Sequence, residues 1–144
     1  MSDLRKEMHA AMKADDHAKV IKAAKGILRI DYTDMYAHKA LQQTYKAMGD
    51  STEYLKHHAI EFGLLHSIID SGDGKTCATG WHVVQINEEY FILGMLGAQL
   101  KQQSLISGDP SCDQMDVHTD KGDMTYFFEI DLVREMEMKM FGGK

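Results

Sequence analysis

Along the first half of the chain, apolar and small residues recur at helical spacing and are interrupted by short acidic turns. Leu4, Met8, Ala11 and Met12 share one face, Asp15 and Asp16 break the pattern, and Val20, Ile21, Ala24, Ile27 and Leu28 resume it. An acidic side chain at such a break can take the free N–H groups of a new helix, so the two stripes predict an antiparallel hairpin. After Asp31, Thr33 or Asp34 offers a cap to a third helix striped by Met35, Ala37, Ala40, Leu41, Thr44, Tyr45 and Met48. Gly49 and Asp50 close it, and a fourth helix runs through Tyr54, Leu55, His58, Ala59, Phe62, Leu65 and Ile69. Ala11-Met12 and Ala47-Met48 occupy comparable places before their turns, so the two hairpins stand about one repeat length apart.

From Gly80 the period changes. Residues 81–86, with Trp81, Val83, Val84 and Ile86, predict a strand, and 88–100 predict an amphipathic helix in which Tyr90 packs inward. Extended character resumes at 103–106, before Pro110. Residues 112–118 and 124–130 read as two further strands joined by the polar turn from Thr119 to Asp123. In the tail LVREMEMKMF, Leu132, Met136 and Met140 align at helical spacing in strong helix formers, although Met136, Met138 and Met140 also alternate as in a strand; a short helix is expected. The pattern as a whole predicts one α+β domain over 1–144. Helical hairpins in 1–70 pack beside a small, mainly antiparallel sheet with one crossing helix in 71–144.

Two resemblances sharpen this picture. Ala40, Tyr45, Gly49 and Asp50 match the small residues and Gly-Asp turn of the tetratricopeptide repeat, which this hairpin resembles without the proline that usually follows the second helix. Such repeats usually bind proteins, so the resemblance implies a protein-binding role. Over residues 40–130 the chain also resembles a family of uncharacterised bacterial proteins catalogued as a domain of unknown function. The residues that carry it are Gly49-Asp50, the stretch from Leu65 to Ile69, Ser71-Gly72-Asp73-Gly74-Lys75-Thr76, Val84, Glu89-Tyr90 with Ile92 and Leu93, Ser104-Leu105, Cys112-Asp113 with Val117, and Tyr126-Phe127. Gly80 and Trp81 depart from its pattern. That family implies a fold and a region of interest around the SGDG segment, and no activity.

Composition excludes several classes. At 144 residues, 44% apolar and 26% charged, the chain suits a soluble domain that needs no disulfide or metal staple. No apolar run approaches the roughly 20 residues of a membrane span, and the charged start MSDLRKEMHAAMKADD lacks the apolar segment of a secretory leader, so a cytoplasmic protein is expected. A net charge of −6 repels a phosphate backbone, which argues against nucleic acid, and favours a basic partner. Cys77 and Cys112, without Cys-x-x-Cys spacing, read as free thiols.

Motifs for chemistry are weak. Gly74-Lys75-Thr76 imitates the end of a phosphate-binding loop, but the glycine required five positions earlier is Ile69. Asp70 and Asp73 lack the ligand spacing of a calcium loop, so SGDG reads first as a turn in which Asp73 accepts backbone N–H bonds and Lys75 and Thr76 stay solvated. The eight histidines form no zinc motif, and His57 and His58 read as surface or half-buried. Ser71 and Ser104 lack a nucleophile elbow, and nothing near Cys77 and His82 activates a thiolate. Glu88 and Glu89 suit a helix N-terminus with Asn87 as cap; His82, His118, Glu88, Glu89, Asp113 and Asp116 converge only if tertiary structure brings them together.

The expected function is non-catalytic protein binding, without cofactor or metal. Its concrete form is an acidic, immunity-type neutraliser of a basic toxin or enzyme, making contact through Asp70, Ser71, Asp73, Lys75, Trp81, Glu88 and Glu89. The alternative is a hydrolytic or metal-dependent enzyme with a site near the SGDG loop. A third reading is a homo-oligomeric scaffold.

Overall fold

A computed structural model of the chain describes residues 2–139, apart from the side chains of Ser2 and Met136, so the expectation placed on Met140 lies outside the described residues. Two compact units divide at Leu65 and His66. In the first, α1 (Ser2–Lys13), α2 (His17–Ile30), α3 (Met35–Ala47) and the start of α4 (Ser51–Ile69) are the expected helices. Their ends follow from local chemistry: Asp16 accepts from the N–H of Lys19, Asp34 from Ala37 and Asp50 from Glu53, each satisfying a donor that the new helix cannot bond internally. Met8, Ala24, Ile27, Ala37, Ala40 and Leu41 form an almost fully buried core, the alanines letting the helices approach closely. No helix among the described residues is long and apolar enough to cross a membrane.

The second unit is a four-stranded sheet with two short helices. Strands β1 (Trp81–His82), β2 (Gln99–Ile106), β3 (Cys112–Thr119) and β4 (Gly122–Glu129) lie in the order β1-β4-β3-β2, with β1 parallel to β4 and the other pairs antiparallel. Helix α5 (Ile86–Met95) connects β1 to β2, and α6 (Asp131–Glu137) follows β4. This is the expected α+β class, with the hairpin turn and terminal helix in place.

Three boundaries differ from the periodicity. The first strand stops at His82 because the Glu88 carboxylate accepts the N–H groups of Val84 (2.7 Å) and Gln85 (3.0 Å), capping a helix that starts earlier than expected, with Gln85 rather than Asn87 at its head. That helix ends at Met95 because Gly97 takes a left-handed φ of 67°, releasing Gln99 to begin β2. Tyr90, expected inside, is 40% exposed.

Cys77 and Cys112 are joined in a disulfide, which corrects the reading as free thiols. Their separation of 35 positions conceals that the loop after α4 returns Cys77 to the first residue of β3, where the two Cα atoms stand 5.7 Å apart.

Candidate functional site

The SGDG segment is a folded turn. Asp73 accepts from the N–H of Lys75 (2.9 Å) and the hydroxyl of Thr79 (2.7 Å), and these bonds hold its carboxyl below the usual range. A Cβ on Gly72 would lie 2.3 Å from the Thr79 carbonyl, and Gly74, at φ 69°, has the Trp81 ring 2.8 Å from where its Cβ would be. Ser71 is absorbed as well, its hydroxyl donating to Ile68 and accepting the N–H of His82. Asp70 is exposed and 3.7 Å from His66, and Lys75 is exposed.

Two of the expected contact residues are interior. Trp81 is 6% exposed and packs on Tyr126 and Phe128 in the core of the sheet, so its ring offers no surface. Glu89 is fully buried. Glu88 is half-buried and occupied by its capping bonds.

What the fold does bring together is Glu89 and Asp113. Register places Asp113 between Leu105 on β2 and Phe128 on β4, on the face of β3 that also carries the buried Met115 and Val117. Asp113 is thus a polar residue at a core position, 5% exposed. Helix α5 begins on that face: Glu88 turns back to cap it, and Glu89, one residue on, turns toward Asp113.

Neither Glu89 oxygen meets a donor among the described residues. Two carboxyls facing each other hold together only when a proton lies between them. Burial, and then the neighbouring Asp113 carboxyl, push Glu89 up to about 9, so it carries that proton at neutral pH. A relay leads outward: Gln103 Nε2 donates to Asp113 Oδ2 (3.4 Å), and the exposed Tyr90 hydroxyl donates to Gln103 Oε1 (2.6 Å).

Asp113 and Gln103 open into a cleft of about 340 Å³ walled by Ile86, Leu105, Ile130, Val133, Arg134 and Glu137. Arg134 is held at its rim by a 3.2 Å bond to Ser111, whose own N–H is taken by Asp131. The cleft therefore combines an apolar wall, an acidic floor and a built-in cation. A larger recess of about 560 Å³ between α1 and α2 is lined by four alanines together with Glu7, Asp16, Lys19 and Lys22, and Lys19 and Asp16 stand 3.9 Å apart there.

The remaining groups considered for convergence stay apart: His82 faces Glu129, His118 faces Asp123, and Asp116 accepts from Gln114 and Thr125. Among the described residues no cluster of three His, Cys, Asp or Glu side chains is placed to hold a metal. The histidines hold one correction: His57 is 4% exposed and its Nδ1 lies 3.0 Å from Nδ1 of the fully buried His38, so it is neither at the surface nor half-buried. Sequence reasoning missed Gln103, Tyr90 and Arg134 as members of a site. The usable signal was Asp113, an acid in phase with Met115 and Val117 on a strand.

No curated protein and no solved structure matches the chain. A family profile described as a domain of unknown function, DUF4919, matches residues 1–139, covering both units and extending well beyond the 40–130 stretch that carries the resemblance in the sequence. The helical hairpins and the carboxyl pair thus lie within one family unit, and the chain belongs to the DUF4919 family.

Proposed function

We propose that the chain is a non-catalytic protein-binding module that accepts an extended segment of a basic partner along β2, with a lysine or arginine of that segment in the Asp113 cleft. The observation that carries this reading is Asp113, which lines an open cleft beside an edge strand and is backed by the fully buried Glu89. An incoming cation sits against the Asp113 carboxyl while Glu89 keeps its proton, and a poorly hydrated acid is left better satisfied by a charged partner than by none. Strand β2 is an edge of the sheet, eight residues long and largely exposed, and such an edge offers its free N–H and C=O groups to an added strand. The net charge of −6 speeds a basic partner's approach. An immunity-type neutraliser of a basic toxin or enzyme is the concrete form of the proposal.

The Cys77–Cys112 bond supports an oxidising compartment in place of the cytoplasm expected from the N-terminal segment.

Affinity purification from native cells tests the reading. A stoichiometric protein partner is expected with the wild-type chain and with Lys75→Ala, and is lost with Asp113→Asn; β2 amides exchange more slowly in the complex. Recovery of no protein partner, or full retention by Asp113→Asn with β2 unprotected, would overturn it.

One observation favours a hydrolytic enzyme as second reading: a proton held near neutral pH beside a second carboxyl is the arrangement of a general acid and base. It moves the alternative site from the SGDG loop to the start of α5. Turnover of a substrate that Glu89→Gln abolishes, with partner binding intact, would select it.

A further inference from the structure

Independently of the β2 cleft, the helical unit holds a second recess, of about 300 Å³, between α2 and α4. Lys25 and Arg29 stand one turn apart on α2, Lys56 and His57 are adjacent on α4, and Tyr32 and Glu53 complete the rim. Lys25, Arg29 and Lys56 are all exposed and none makes an ion pair among the described residues, although the chain as a whole is acidic. Three cations against the single carboxylate of Glu53 leave a local surplus of about two positive charges, a surplus that attracts and holds anions.

The floor of the recess is the buried His57, and its tautomer can be worked out. His38 Nε2 lies 2.6 Å from the Tyr32 carbonyl, which only accepts, so that nitrogen carries the His38 proton. His38 Nδ1 is then a lone pair, and the 3.0 Å contact requires His57 Nδ1 to donate to it. Neutral His57 is left with a bare Nε2 facing Glu53 Oε2 at 3.6 Å, lone pair toward lone pair. One more proton on Nε2 turns that arrangement into a donor facing the Glu53 carboxylate at the edge of the recess.

We propose that this recess binds a doubly charged oxyanion of the phosphate type, gripped by Lys25, Arg29 and Lys56, and that the anion's arrival places a second proton on His57. The planar fork of Arg29 suits two anion oxygens, the lysines act as point charges, and a dianion matches the surplus where a carboxylate would leave half of it uncompensated. The volume admits the anionic group with a small molecule attached, so the ligand class is a phosphorylated small molecule.

Proton coupling follows from the surroundings. Burial, then His38, Lys56 and Lys25, hold His57 below its ordinary value, while Glu53 pulls it up; Arg29 at the rim adds to the cations, and Tyr45 of α3 stacks on the ring. His38 is itself held down by burial and by Lys56, against the Tyr32 carbonyl, Asp34 and Asp31. An anion that neutralises Lys25 and Lys56 removes part of the opposition to a charged His57.

Sulfate is the probe, because its charge stays at two across the range in which histidine titrates. Isothermal titration of the full chain at low ionic strength should give saturable one-to-one binding, about fivefold or more tighter near pH 6 than near pH 7.5. The heat should depend on the buffer's ionisation enthalpy, and the His57 ring protons should move to imidazolium positions in the NMR spectrum. Arg29→Gln and Lys56→Gln, both at exposed positions, should weaken binding about tenfold with unchanged thermal melting. His57→Gln should bind without the pH dependence. Absence of saturable binding, equal binding by the Arg29 and Lys56 variants, or binding without proton uptake would each overturn the proposal.

Discussion

Each unit of the molecule buries a close pair of polar side chains, and burial acts with opposite sign on the two histidines of the first and on Glu89 of the second. In the helical unit His38 and His57 are both held down by loss of water, so they stay neutral as pH falls below the range where an exposed histidine charges. In the α+β unit the same cause pushes Glu89 up, so it stays neutral as pH rises past the range where an exposed glutamate ionises. One physical effect thus weakens the fold in acid at the histidine pair and in alkali at Glu89, and it acts on the buried Glu61 of the helical unit in the same direction as on Glu89. Water exclusion favours the uncharged form, whichever side of the titration that form lies on.

The largest test of this contrast is alkaline. The folded state holds the Glu89 proton between the ordinary value of 4.5 and about 9 while the unfolded chain has released it. Stability therefore falls by up to about 1.4 kcal/mol per pH unit as pH rises through that window. Denaturant unfolding of Glu89→Gln, which keeps the shape and cannot ionise, should lose this slope. A wild-type slope no steeper than the variant's would erase the contrast.

Reduction of the Cys77–Cys112 bond should cost about 2–4 kcal/mol, since it frees a long loop in the unfolded chain. Urea midpoints with and without reductant measure it, and alkylation of protein isolated from native cells should label no thiol.

The acid side is smaller. The unfolded chain takes up protons near pH 6.5 that the folded histidines refuse, so stability declines as pH falls below that value, by about 1 kcal/mol per unit or less. Melting temperatures of His57→Gln against wild type between about pH 7.5 and 5.5 should show the variant less sensitive to acid. The smallest effects belong to Asp70→Ala and Lys75→Ala, each within about 0.5 kcal/mol, because both side chains lie in solvent.

Much of the fold is legible in the sequence because its signals are local. Asp16, Asp34 and Asp50 each bond an N–H three residues on, so composition alone reveals those helix starts. The β3–β4 hairpin is equally local, closing through the Thr119 hydroxyl on the Gly122 carbonyl. The site is not local. Glu88 and Glu89 look alike as acids in a first helical turn, yet rotation by one residue sends the first back to its own cap and the second onto a strand. Asp113 and His38 carry a usable trace, since each interrupts a buried stripe with a polar group, the former beside Met115 and the latter between Met35 and Leu41. Cys77 and Cys112 carry none, because loop closure is a property of the path between them.

The hospitality of β2 has a hazard, since any bare strand edge also invites copies of itself to stack into fibrils. The irregularity between Leu100 and Gln102 and the Lys101 ammonium, tied to Asp123 at 3.0 Å, spoil the first half of the strand for such stacking. The run from Gln102 to Ile106 keeps a regular register, beside the cleft at Asp113, and a self-copy brings Leu105 and Gln103 where the proposed partner would bring a cation. The edge thereby discourages its own kind while leaving room for the oppositely charged partner proposed above.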